Sequence, residues 1–147
     1  MIERPAASLQ ERDQLSRLNA LLVLALLMTE STDEMQVLRM GASAAPSFAA
    51  CRLVGVRLTD TRGTTWVPGP EGDAEPPGLD DIASTGGQVE IPGADHGWTY
   101  ALGTSGPHLG YMVVAAEREL PRDEHFLLRV LAQQIGSAVR NSQLHRL

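Results

Sequence analysis

Gly110-Tyr111-Met112-Val113-Val114-Ala115-Ala116, followed after Arg118 to Asp123 by Glu124-His125-Phe126-Leu127-Leu128-Arg129-Val130-Leu131-Ala132, decides how this chain folds. In the first part both alternating sets are apolar: Tyr111, Val113 and Ala115 on one side, Met112, Val114 and Ala116 on the other. The strand predicted over residues 108–117 must therefore be covered on both faces. In the second part Leu127, Leu131, Ala138 and Val139 recur at helical spacing behind Asp123-Glu124, an acidic start that suits a helix N-terminus. The closing helix is expected over residues 124–147. No glycine or proline stop follows Gly136, so this helix is expected to lead out of the domain.

Upstream, Ser8 with Glu11 three residues later is a capping box, and it opens an apolar-periodic stretch reaching Met28. The apolar positions are too many for one stripe. Leu15, Leu18, Leu22 and Leu26 form one arc, while Leu21, Leu24 and Met28 form a neighbouring one. One arc is expected on the domain's own sheet and the other under a second helix, the last one or its copy in another subunit. A second capping box, Ser31 with Glu34, predicts a shorter helix that Pro46 ends.

Strands are expected at residues 52–59, with Val54, Val56 and Leu58 on one face and Leu53, Gly55 and Arg57 on the other, and at 64–67 after a turn at residues 61–63. Residues 68–81 hold four prolines and five acids without one base, which reads as a solvated loop. Further strands are expected at residues 88–91 and 98–103, the latter joined to the long strand through residues 104–107.

At 147 residues the expectation is a single domain, 1–147, that buries about two thirds of its unfolded surface. A net charge of −6 without basic clusters argues against nucleic acid or an anionic membrane as partner. The longest apolar run, residues 20–28, is about half of what spans a bilayer, and no signal peptide opens the chain, so a cytoplasmic location is expected. Cys51 is the only cysteine, which excludes an internal disulfide and a cysteine zinc cluster.

The order helix, helix, hairpin, variable loop, hairpin, closing helix resembles a GAF domain, the small-molecule sensor module of bacterial signalling proteins. The resemblance rests on Gly110-Tyr111-Met112-Val113, the start at Asp123-Glu124, and the run through Leu127, Leu131, Gln134, Ile135, Ala138, Asn141 and Leu144. It implies an α+β fold: a central antiparallel sheet with the N- and C-terminal helices on one face and a ligand pocket or lid on the other. The opening residues further resemble actinobacterial sensor regions that precede serine phosphatase or histidine-kinase-like ATPase domains. The function implied is sensory and non-catalytic. A homodimer through the terminal helices, 1–29 and 122–147, would carry a signal from a small molecule or partner to a covalently linked output domain such as a phosphatase, kinase or transcription regulator. A ligand-free dimerisation scaffold of the same fold is the alternative, and a small redox enzyme a more distant one.

Candidate chemistry is sparse. Cys51 opens an apolar strand, where a thiol acts as a small hydrophobe. Asp95-His96 precedes Trp98 and Tyr100, and aromatic walls with polar tips suit ligand sites. His96, Trp98 and Tyr100 are thus the candidate ligand-binding side chains, placed between the 88–100 segment and the sheet face away from the terminal helices. One histidine makes no metal site. His108, His125 and His145 read as surface residues. Gly103, Gly106 and Gly110 resemble a phosphate loop, but they flank a hairpin turn with no helix N-terminus to receive an anion. No catalytic residue, metal or cofactor is indicated.

Overall fold

The computed structural model describes residues 5–60, 63–82, 86–102 and 109–145. Strand β5 (Gly110–Ala116) is its centre, and every residue of it is buried. It pairs antiparallel with β1 (Arg52–Asp60) on one side and β4 (His96–Ala101) on the other. The edges are β2 (Gly63–Pro68), which follows β1, and the short β3 (Gly86–Gln88), which pairs with β4. The order β2-β1-β5-β4-β3 makes a five-stranded antiparallel sheet. The 104–107 connection lies outside the described residues.

Helices cover one face. Helix α4 (Arg122–His145) lies nearest the sheet and buries Leu127, Leu128, Leu131, Ala132, Ile135, Ala138 and Val139. These meet Met112, Val114 and Ala116 of β5 and Val56 and Leu58 of β1 in one apolar core. Helix α2 (Glu34–Ala42) adds Val37 and Leu38, and the single turn α3 (Ala45–Phe48) adds Phe48. The architecture is α+β, with the helices gathered on one side of the sheet.

Four local expectations are corrected. The first concerns the alternation along β1, which is broken by a register shift between Leu53 and Gly55. Leu53 consequently joins Val56 and Leu58 in the helical core, and Val54 belongs to the opposite face. An extra residue inserted into a paired strand reverses the facing of what precedes it.

The second concerns caps. Helix α1 (Pro5–Glu30) is already under way at Ser8, with Pro5 at its first described residue, a position proline favours. The cap of α2 is Asp33 rather than Ser31: its carboxylate accepts from Met35 N at 3.0 Å, while the Ser31 hydroxyl bonds Gln36 Oε1 at 3.1 Å. Pro46 sits in the first turn of α3, where its missing N–H costs nothing, and does not terminate α2.

The third is the seat of α1. It packs on α4 and α2 rather than on the sheet, so the helical layer is two deep. Its buried arc is Leu21 and Met28 with Leu24 partly buried, whereas Leu15, Leu18, Leu22 and Leu26 face solvent. The fourth is the face of α4: of Leu127, Leu131, Gln134, Ala138 and Leu144, which the spacing offers to the interface of the terminal helices, Leu127, Leu131 and Ala138 are buried inside this domain, while Leu144, like Phe126, is exposed.

Two contacts fix how the helices meet. The Ser142 hydroxyl, fully buried, donates to the Thr32 carbonyl at 2.7 Å and ties α4 to the α1–α2 junction. Gly41 lies where α2 crosses α4 and α1, and a Cβ built there would strike Ile135 and Met28. Gly41→Val should therefore cost about 2 kcal/mol or more through overpacking, against a helix-propensity gain of only roughly a few tenths of a kcal/mol. Urea denaturation monitored by circular dichroism measures it, and an unchanged midpoint would show that α2 does not sit against α4 this closely.

Candidate functional site

The sheet face away from the helices carries Tyr111, Val113 and Ala115 of β5 and Val54 of β1, and a second apolar cluster closes over them. Its cover comes from residues 69–82, an irregular strap with one 3-10 turn, Leu79–Asp81. Leu79 is 2% exposed, and Ile82, Val89, Ala94, Ile91 and Trp66 complete the cluster. Most of the loop expected from composition is solvent-exposed, as its acids and prolines require, but Pro76 and Leu79 are buried and make it a cover for the sheet.

Charge decides where the carboxylates of this acidic segment settle. β1 presents Arg52 and Arg57 beneath it. Arg57 pairs with Asp80 at 2.5 Å and Glu75 at 3.5 Å, and Arg52 pairs with Glu71 at 3.1 Å and with Asp73. Backbone polar groups take further partners: Trp66 Nε1 donates to the Asp73 carbonyl at 2.9 Å, and the Tyr111 hydroxyl to the Ile82 carbonyl at 3.2 Å. Surface ion pairs are individually weak, so the burial of Leu79 is the main contribution.

The three candidate ligand residues do not gather on this face. Trp98 and Tyr100 pair across the strand with Val114 and Met112, the side of β5 that faces the helices. Tyr100 is 4% exposed, and its hydroxyl lies 2.7 Å from His125 Nδ1 on α4. Trp98 meets the His125 ring edge to face, centroids 4.5 Å apart. Only His96 borders an open depression, with Pro77, Asp95 and residues 88–92 at the β3–β4 edge. The physical reason is parity: residues 96, 98 and 100 share one side of β4, and the register with β5 turns that side toward α4.

His125 is accordingly not the surface residue its sequence position suggested; it fills the space between α4 and β4. Burial holds its pKa below the ordinary value, with the Arg129 charge acting in the same direction. The Tyr100 phenol, whose pKa burial pushes up, shares a hydrogen bond with Nδ1. Trp98 Nε1 is buried without a hydrogen-bond partner among the described residues. Cys51 is half-buried beside the start of β1, and burial followed by the nearby Glu124 carboxylate pushes its thiol up to about 12. A thiol so held is a poor nucleophile. Among the described residues no group of three or more His, Cys, Asp or Glu could hold a metal, and no helix is long and apolar enough to cross a membrane. His108 and the 103–107 glycine segment lie outside the described residues.

Arg52, Arg57, Leu79 and Asp80 are what sequence reasoning missed at this face. The available signal was complementary: two arginines in an otherwise apolar strand, and a later segment with five acids and no base. A pH dependence follows from His125. Its folded-state pKa lies below the unfolded value of about 6.5, so the unfolded chain binds the extra proton and stability falls as pH drops through that value. Urea midpoints should decline between about pH 7.5 and 5.5 in the wild type and decline less in His125→Gln. Equal slopes would show that His125 is not held neutral by its surroundings.

No family model and no curated protein matches the sequence. Among solved structures the chain is similar to the GAF domain of a protein described as a sensor histidine kinase from Pseudomonas syringae pv. tomato. The TM-score is 0.69 at 18% sequence identity, over 95% of this chain and 96% of that one. With a five-stranded antiparallel sheet, terminal helices on one face and a lid on the other, the chain has the fold of a GAF domain.

Proposed function

We propose that the chain is a regulatory, non-catalytic GAF domain of the cytoplasm that pairs with a second copy of itself through α1 and passes a change of state along its terminal helices to an output domain in the same polypeptide. The observation that carries this is the outer face of α1. Leu15, Leu18, Leu22 and Leu26 are 61, 41, 64 and 66% exposed, and Val23 and Leu27 flank them. They follow 3–4 spacing along about three turns. Burying such side chains contributes about 1.5–3 kcal/mol each, and a contiguous exposed patch of this kind marks an interface. An identical helix offers the matching stripe, which is what a two-fold interface requires.

Two further points support the reading. The similar solved domain comes from a protein described as a sensor kinase, a setting where an input domain acts on a linked output. The groups with catalytic potential are engaged otherwise: Cys51 has a strongly raised thiol pKa and His125 is hydrogen-bonded within a packed contact. That weighs against the small redox enzyme. A second reading, a ligand-free dimerisation scaffold, is favoured by the strap that already fills the outer face with Leu79. Both readings require self-association; they differ in whether the outer face ever opens.

Sedimentation equilibrium tests the pairing. The wild-type chain should sediment as a dimer, and Leu22→Glu with Leu26→Glu should give a monomer with unchanged circular dichroism, since neither side chain contributes to the domain's own core. A wild-type chain that stays monomeric at high concentration removes the proposal.

A further inference from the structure

The strap over the outer face has little regular structure, and its buried element has a particular chemistry. Leu79 supplies an aliphatic body among Val54, Tyr111, Val113 and Ala115, and the next residue, Asp80, places a carboxylate on Arg57. Two adjacent residues thus combine an apolar plug with a single anionic head. The host is complementary: an apolar floor with the Arg57 guanidinium at its rim, only 17% exposed, while Arg52 further along β1 is engaged by Glu71 and Asp73. The strap is tied by Gly69 N to the Val54 carbonyl, by Arg52 to Glu71 and Asp73, by Trp66 to the Asp73 carbonyl and by Tyr111 to the Ile82 carbonyl. Between those ties the plug is held by burial and by ion pairs whose acidic partners are 40 and 84% exposed, and such pairs are weak in water. Gly78, at φ 88°, gives the chain a pivot directly before Leu79.

We propose that the outer face is a binding site for a small molecule with an apolar body and a single anionic head, and that Leu79 and Asp80 occupy that site in its absence. The incoming anion takes Arg57 from Asp80 and the apolar body takes the place of Leu79. The displaced segment then carries Glu75, Asp80 and Asp81 next to a neutralised arginine, so like-charge repulsion keeps it lifted. A cationic head is disfavoured by Arg57, and an uncharged one leaves the Arg57–Asp80 pair in place. This inference rests on reading the domain as a regulatory module whose input is the outer face.

The test titrates octanoate, with octan-1-ol as its uncharged counterpart, into the whole chain while the methyl resonances of Val54 and Val113 are followed. Leu79→Ala, which empties the apolar site, should bind octanoate roughly tenfold more tightly than the wild type, because a cavity lined by aliphatic groups accepts apolar ligands. Adding Arg57→Gln should return octanoate to the affinity of octan-1-ol. If Leu79→Ala does not fold, Asp80→Ala at an exposed position carries the same comparison, and octanoate should again bind more tightly than to the wild type. Unchanged octanoate affinity in the folded variant, equal affinity for the two probes while Arg57 is present, or shifts away from Val54 and Val113 would overturn the proposal. Sedimentation of the same samples separates it from the pairing of α1: a dimer that ignores octanoate refutes this site alone, and a monomer that binds it refutes the pairing alone.

Discussion

A central strand with no polar face sets the terms for the rest of this molecule. All seven residues of β5 are buried, so both sides of the sheet must be roofed. The backbone polar groups of such a strand are satisfied by β1 and β4, and its side chains have no alternative to packing. The helical side is roofed by α4, whose apolar stripe is long enough to cover the sheet from Leu127 to Val139. The other side has no helix available. It is closed by an irregular segment that must bring its own apolar group, Leu79, and must satisfy its charges on the arginines of β1.

Because α4 and α2 together cover the sheet, α1 is left on the outside of the helical layer, with one arc used and one unused. The used arc meets α4 and α2 through Leu21, Leu24 and Met28. A helix with apolar residues over more of its circumference than one neighbour can cover implies a second neighbour. The surplus is concentrated on α1 rather than on α4, where Leu127 and Leu131 are taken up by the core and Leu144 and Phe126 remain exposed. The exposed arc of α1 is thus separated from the sheet by a whole layer of helix.

The sheet also decides which side chains can become a site. Trp98, Tyr100 and His125 form a polar-tipped aromatic contact, yet they stand between β4 and α4, where they lock the helix to the sheet. The Thr99 hydroxyl, on the other side of the same strand, accepts from Gly87 N and donates to Gly87 O, holding the short edge strand β3. Neighbouring residues of one strand therefore serve opposite layers.

The antiparallel α+β arrangement was implied by the resemblance to a GAF domain, while local chemistry and periodicity in the sequence were enough to determine the elements that are long and regular: a doubly apolar final strand, a closing amphipathic helix and a first helix with two apolar arcs. Each follows from side-chain spacing within a single segment. Tertiary structure alone decided what depends on two segments meeting. The bulge at Leu53 to Gly55 exchanged faces along β1 because register is a property of a pair of strands, not of one. Pairing with β5 turned Trp98 and Tyr100 inward toward α4. The acidic strap reads as solvated when its composition is taken alone; it folds down because Leu79 finds an apolar cluster to bury itself in, while Arg52 and Arg57, about twenty residues earlier in the chain, stand opposite its carboxylates in space. A charge or an apolar group is buried according to what faces it, and the sequence does not record who the neighbour will be.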